Sequence, residues 1–182
     1  MTEADIQRYM AEAYSLAEYS PDLSNQNGAV VYRGFSKIGE GFNHFYPGIP
    51  VTQERPAKYE IAHAEEDACL SCARSSIKVD HTAVMYCPWA ACKRCARAII
   101  GAGIRMLVVH KERWDTFVQT RGEGEAWAPN VDEAMTWLRA TVDIHIYSGA
   151  ITAYQGEGIL LNGRLWNPAT LEFAPRVETV GK

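Results

Sequence analysis

From His63 to His110 the apolar pattern alternates between two periods. The spacing predicts a helix over about 63–73, a strand over 82–87, a helix over about 92–101 and a strand over 104–110. This β-α-β order puts helices on the faces of a largely parallel sheet, which makes the chain an α/β protein. At 182 residues and 47% apolar content it is long enough for one sizeable core and short for two. One fold must therefore carry the function. Ile6, Met10, Ala13 and Ala17 recur at helical spacing behind a Thr2-to-Asp5 start that reads as a capping box, predicting a helix over 3–19. Strands over 28–32 and 37–43, joined by a turn at Arg33-Gly34, read as a hairpin. Residues 44–60 hold Pro47, Gly48, Pro50 and Pro56 and read as a long loop. A polar stretch, 119–130, leads to a helix near 131–140 and a strand over 142–147. The apolar pairs of 151–166, broken at Gly156, Gly158 and Asn162-Gly163, read as a small hairpin added to the sheet. The expected organisation is one domain, 1–148, with a β-hairpin and tail, 149–182, appended to it.

Two short motifs open the two central helices. His63-Ala64-Glu65 begins one and Cys92-Lys93-Arg94-Cys95 begins the next, so their side chains can converge near strand ends. Two thiolates and one imidazole are three ligands for Zn2+, which leaves a fourth position for water, the arrangement of a catalytic rather than a structural site. Helix N-termini favour the thiolates electrostatically. Zinc lowers the pKa of a bound water to about 7 and so makes hydroxide available. Glu65, two residues past His63, is placed to move protons without ligating the ion.

Other residue classes narrow the function. The formal charge is −4 and the Lys and Arg residues are scattered, which removes the electrostatic footprint of a polynucleotide binder. No apolar segment follows a basic N-terminal stretch, and no window approaches the roughly 18 apolar residues of a membrane span. The expectation is a cytoplasmic protein with neither export signal nor anchor. Five cysteines, 69, 72, 87, 92 and 95, are bunched and odd in number, favouring metal over disulfides.

The motifs H-x-E and C-x-x-C, in this order, resemble the zinc nucleobase deaminases. More narrowly, residues 5–147 resemble the deoxycytidylate (dCMP) deaminases. The likeness is carried by Ser24-Asn25-Gln26-Asn27-Gly28-Ala29-Val30-Val31, Gly41-Phe42-Asn43 and the run from Cys95 to Ile104. The resemblance implies a three-layer α/β/α sandwich with a five-stranded mixed sheet. It further implies conversion of dCMP to dUMP and ammonia, by a zinc-bound hydroxide attacking C4 with Glu65 as proton shuttle. Asn43 matches the asparagine that bonds the substrate's sugar or base, and Ala64 the residue whose N–H meets the pyrimidine carbonyl. Family members also imply a homo-oligomer, a hexamer in some, and activation by dCTP and inhibition by dTTP with Mg2+. A second nucleotide site of that kind is expected near the loop after Asn43. Among basic residues, Arg113 and Arg121 are the candidates for the substrate phosphate.

Two positions depart from the pattern. The family's proline before the first cysteine is Ala91 here, with Pro88 upstream, and Asp67 stands where many relatives have asparagine. Trp89-Ala90-Ala91-Cys92 is similar to the Trp-Ser-Pro-Cys of polynucleotide cytidine deaminases. That similarity implies a Trp89 wall to the base pocket and an Ala90 carbonyl accepting from the exocyclic amine. The alternatives are therefore a deaminase of another cytosine nucleoside or nucleotide, or of a polynucleotide. A third alternative is a non-enzymatic zinc module, since Cys69-x-x-Cys72 and Cys92-x-x-Cys95 have the spacing of a four-cysteine site. Against it, Cys69 and Cys72 lie about 240° and about 180° around the helix from His63, and His63-x-Glu65 goes unexplained. Cys87 reads as a small buried hydrophobe. His44, His81, His110 and His145 belong to no motif, and Trp114 and Trp137 read as core or interface.

Overall fold

The computed structural model describes residues 1–21, 26–48, 61–119, 128–155, 158–161, 164–167 and 172–173; over 117–119, 128–132 and beyond 152 the description is of the backbone. Helix α1 (Glu3–Ala17) begins as the sequence predicts: Thr2 Oγ1 accepts from Asp5 N–H while Asp5 accepts from Thr2 N–H, a complete capping box. Strands β1 (Gly28–Arg33) and β2 (Ser36–Phe42) form the hairpin. The turn falls at Gly34-Phe35 rather than Arg33-Gly34, because Arg33 still pairs with Ser36 and Gly34 takes the positive φ of 59° that the reversal needs.

Next come β3 (His44–Phe45), β4 (Ile61–Ala62), α2 (Ala64–Arg74), β5 (Ala83–Tyr86), α3 (Lys93–Ala102), β6 (Met106–His110), α4 (Lys111–Gln119), α5 (Ala128–Thr141) and β7 (Asp143–Tyr147). The main sheet has five strands in the order β2-β1-β5-β6-β7. Its first two pairings are antiparallel and the β5-β6-β7 portion is parallel. The expected mixed sheet is thus present. Alternate side chains divide between two cores. Val30, Tyr32, Tyr86 and Val108 meet Ile6, Tyr9, Met10, Ala13 and Tyr14 of α1. Ala29, Val31, Met85, Leu107 and Val109 meet α2, α3 and α5 through Ala68, Ile99 and Leu138. Period two in the strands against period 3.6 in the helices is what makes three layers.

Three expectations need correction. Residues 111–119 form α4, which was not expected; its apolar positions, Trp114, Phe117 and Val118, are a single i, i+3, i+4 set, too short to separate from a loop by periodicity. The expected loop, 44–60, opens with β3, which pairs with β4 just past the loop's end in a two-stranded sheet, while 49–60 lie outside the described residues. The tail is not a hairpin continuing the main sheet. Strands β8 (Thr152–Gln155), β9 (Gly158–Leu161), β10 (Arg164–Asn167) and β11 (Glu172–Phe173) make an antiparallel sheet of their own in the order β11-β10-β9-β8. Gly156, Gly158 and Asn162-Gly163 mark turns in the sequence, but turn signals do not say which strands pair.

Glycines in β2 explain how closely α2 rides on the sheet. A Cβ built on Gly41 would stand 2.6 Å from Ala64 O and 2.8 Å from the Asp67 carbonyl carbon. No side chain fits there, so α2 starts directly over β2. Gly41 therefore places the first turn of α2, which carries Ala64 and Glu65.

Candidate functional site

His63 and Cys92 occupy the N-cap positions of α2 and α3, with extended backbones (φ −82°, ψ 151° and φ −77°, ψ 173°). An N-cap side chain ordinarily turns back to bond its own helix. Neither does so here; both turn toward each other, and Cys95 joins them from the first turn of α3. His63 Nδ1 lies 3.4 Å from Cys92 Sγ and 3.4 Å from Cys95 Sγ, and the two sulfurs are 3.6 Å apart.

These separations test the fit to zinc. With Zn–S of about 2.3 Å and Zn–N of about 2.0–2.1 Å, a tetrahedron has S···S edges of about 3.8 Å and S···N edges of about 3.5 Å. The observed triangle has that size and shape. His63, Cys92 and Cys95 are a candidate metal site, and among the described residues the group holds no fourth protein donor. Cys69 and Cys72 are not part of it; Cys72 Sγ packs where a side chain on Gly39 would be. The four-cysteine arrangement is absent from the described residues.

Charge in the cluster is arranged accordingly. Cys92 is held well below its ordinary thiol value, first by its hydrogen bond with Cys95 and then by His63, against the opposing effect of burial, while Cys95 is pushed up by the same hydrogen bond and by burial. Burial lowers the pKa of His63, but the Cys92 thiolate and Glu65 outweigh it and leave it raised. Glu65 is 3% exposed. Burial pushes its carboxyl up to about 7, with His63 opposing, so the group holds or releases a proton near neutrality.

The other expected residues divide. Asn43 is buried beside the site, its Oδ1 accepting from Ala64 N–H at 2.9 Å. Ala90 is buried and Trp89 half-buried in the segment leading to Cys92. Arg113, on α4, lays its guanidinium over the Trp89 ring (5.4 Å) and near the Tyr14 ring (6.0 Å). Arg121 lies outside the described residues. Asp67 accepts from Arg74 at 2.9 Å, with His44 Nδ1 3.7 Å from its other oxygen. Cys87 is fully buried, as expected. His110 is structural: Nδ1 meets Tyr14 Oη at 2.6 Å and Nε2 meets Gly149 O at 3.1 Å.

Arg94 and Asn27 escaped the sequence reading. Arg94 Nε pairs with Glu66 Oε2 at 3.1 Å, Tyr46 Oη donates to the same oxygen at 3.2 Å, and Arg94 also donates to Ile61 O. It thereby ties the start of α3 to that of α2, the two helices that must stay in register for the three ligands to meet. Its place between the cysteines was the available signal. Asn27 lies within the run 24–31 and belongs to neither metal-binding motif. A polar residue abutting an apolar strand was the clue.

The cytidine and deoxycytidylate deaminase zinc-binding region matches residues 3–111, and the chain belongs to this deaminase family. An uncharacterised deaminase of the luxG 3′ region in Aliivibrio fischeri is 33% identical over 120 residues, covering 64% of this chain and 78% of that one. The dCMP deaminase of cyanophage S-TIM5, in complex with dCMP and dUMP, superposes with a TM-score of 0.62 at 17% identity, covering 81% of this chain and 99% of that one. A deaminase described in studies of A-to-I editing at the wobble position of transfer RNA gives 0.51 at 16% identity, over 79% of this chain and 99% of that one. At such identities the two structures establish the shared fold. The family is a zinc-binding one, in agreement with the triangle of donors.

Proposed function

We propose that the protein hydrolyses the amino group of a free cytosine deoxynucleotide, dCMP, giving dUMP and ammonia. The observation that carries this reading is the His63, Cys92 and Cys95 triangle with the buried Glu65 carboxyl next to it. The likeness to the cyanophage enzyme supports the nucleotide as substrate, and the net charge of −4 favours a single nucleotide over a polynucleotide.

His63, Cys92 and Cys95 would hold a zinc ion, which would supply an acidified water near neutral pH. Glu65 carries the protons: one from the attacking water to N3 as oxygen bonds C4, and a second to the exocyclic nitrogen as the C4–N bond breaks and ammonia leaves. Water adds and ammonia departs, so the step is balanced. Asn43 fixes the first turn of α2 through Ala64, and the Ala64 N–H then shares its bond between Asn43 Oδ1 and the pyrimidine carbonyl. Trp89 walls the base, the Ala90 carbonyl accepts from the exocyclic amine, and Arg113 presents its charge to the phosphate, with Arg121 as a second donor.

Comparing dCMP, CMP, deoxycytidine, dCTP and a single-stranded oligonucleotide for ammonia release tests this reading. The expected order places dCMP first in kcat/KM. Ammonia from another substrate with none from dCMP overturns the substrate, and oligonucleotide turnover alone replaces it with the polynucleotide reading. Regulation and assembly belong to the same proposal: dCTP with Mg2+ raises and dTTP lowers the rate, and sedimentation reads a hexamer.

A further inference from the structure

Two asparagines face each other where the β1-β2 hairpin opens. Asn43 N–H donates to Asn27 O at 3.0 Å, one step beyond the Gly28–Phe42 pair. Each reaches one residue of His63-Ala64-Glu65: Asn43 Oδ1 takes the Ala64 N–H, and Asn27 Nδ2 lies 3.5 Å from Glu65 Oε2. The Asn27 amide is also held from its far side. Its Nδ2 is 3.3 Å from Cys87 Sγ, and the thiol is 3.7 Å from Asn27 Oδ1.

Asn27 and Cys87 are both buried, at the beginning of β1 and just past the end of β5. A buried amide costs stability unless it is bonded, whereas an apolar pair of the same volume is close to neutral. Packing alone therefore gives no reason for an amide at residue 27. Its partner does. A glutamate side chain has three rotatable bonds, and a proton shuttle loses rate steeply when its oxygens are misplaced by about 1 Å.

Resting on the deaminase reading above, we infer that Asn27 is a positioning residue for Glu65, holding Oε2 so that Oε1 faces the proton path, with Cys87 keeping the amide from rotating away. At 3.5 Å the bond is at its long limit. Such a soft restraint suits a carboxyl that takes up one proton and gives up another within each turnover.

The test pairs Asn27→Leu, which keeps the branched four-atom shape and deletes the donor, with Asn27→Gln, which keeps a donor. In the leucine variant kcat falls about ten- to hundred-fold while KM stays within about three-fold, and bound zinc and the thermal midpoint hold; the glutamine variant recovers part of kcat. Wild-type kcat in the leucine variant overturns the inference. So does parallel loss of zinc, stability and kcat in both variants. A second measurement needs no turnover: the Asn27 side-chain amide resonances, assigned by their loss in Asn27→Leu or Asn27→Gln, move in Glu65→Gln protein. Unmoved resonances overturn the contact. Wild-type protein that deaminates nothing refutes the proposed function instead, and the resonances then decide the contact by themselves.

Discussion

At the scale of single residues, the proposed roles of the three metal donors and of Glu65 lead to opposite expectations. Glu65→Gln removes the exchangeable proton and leaves the donor triangle intact, so turnover drops about 10²–10⁴-fold with zinc content unchanged by elemental analysis. His63→Ala and Cys95→Ala have the opposite signature: zinc is lost, and activity with it. A glutamine variant that lost its metal would put Glu65 among the ligands. His110 supplies a pH dependence elsewhere. Burial holds it below its ordinary value of 6.5, with the Gly149 carbonyl opposing. As the pH falls, the unfolded chain takes up this proton before the folded one. Stability on this account is therefore full above about 6.5 and declines below it. Urea unfolding at pH 5 and pH 7.5 should show a smaller decline for His110→Gln than for the wild type; equal declines would clear His110 of the effect.

At the scale of elements, the site depends on two helix starts and one strand beneath them. Gly41 has α2 directly against it, and a methyl group there would meet the Ala64 carbonyl. Gly41→Ala should cost about 1–3 kcal/mol, read in chemical unfolding, and weaken zinc retention because the first turn of α2 is displaced. Zinc binding unchanged in a destabilised Gly41→Ala protein would uncouple the strand from the site. Helices α2 and α3 were legible from periodicity, and so were the motifs at their starts. Helix α4 was not, because Trp114, Phe117 and Val118 make only one turn's worth of pattern. The clamp by Arg94 and Glu66 was illegible for a different reason: a charge within a motif looks like any solvated residue until the 28-residue separation between the two closes up in space.

For the whole molecule, the C-terminal segment leaves the main sheet through Gly149 and Ile151, which pack against β6 and α1. Ile151 is 1% exposed in the cluster with Ile6, Tyr9 and Met10, and Gly149 O receives His110. Deleting 149–182 removes that burial, about 1.5–3 kcal/mol, and orphans a buried imidazole, a further cost of about 1–3 kcal/mol. The shortened chain should unfold at lower denaturant while its donors still bind zinc; unaltered stability would make the tail independent of the deaminase domain. No helix among the described residues is long and apolar enough to cross a membrane.

Residue spacing by itself determined the α/β class and pointed to the three candidate metal donors and to Glu65, because each is a local matter: a helix start presents its first residues in fixed directions, and H-x-E and C-x-x-C carry that geometry in the chain. Tertiary structure alone decided what surrounds them. That the tail builds a second sheet, that Arg113 lies over Trp89 and that Asn27 reaches Glu65 across 38 positions depend on which distant surfaces pack together. Only the folded chain brings such long-range pairs within bonding distance.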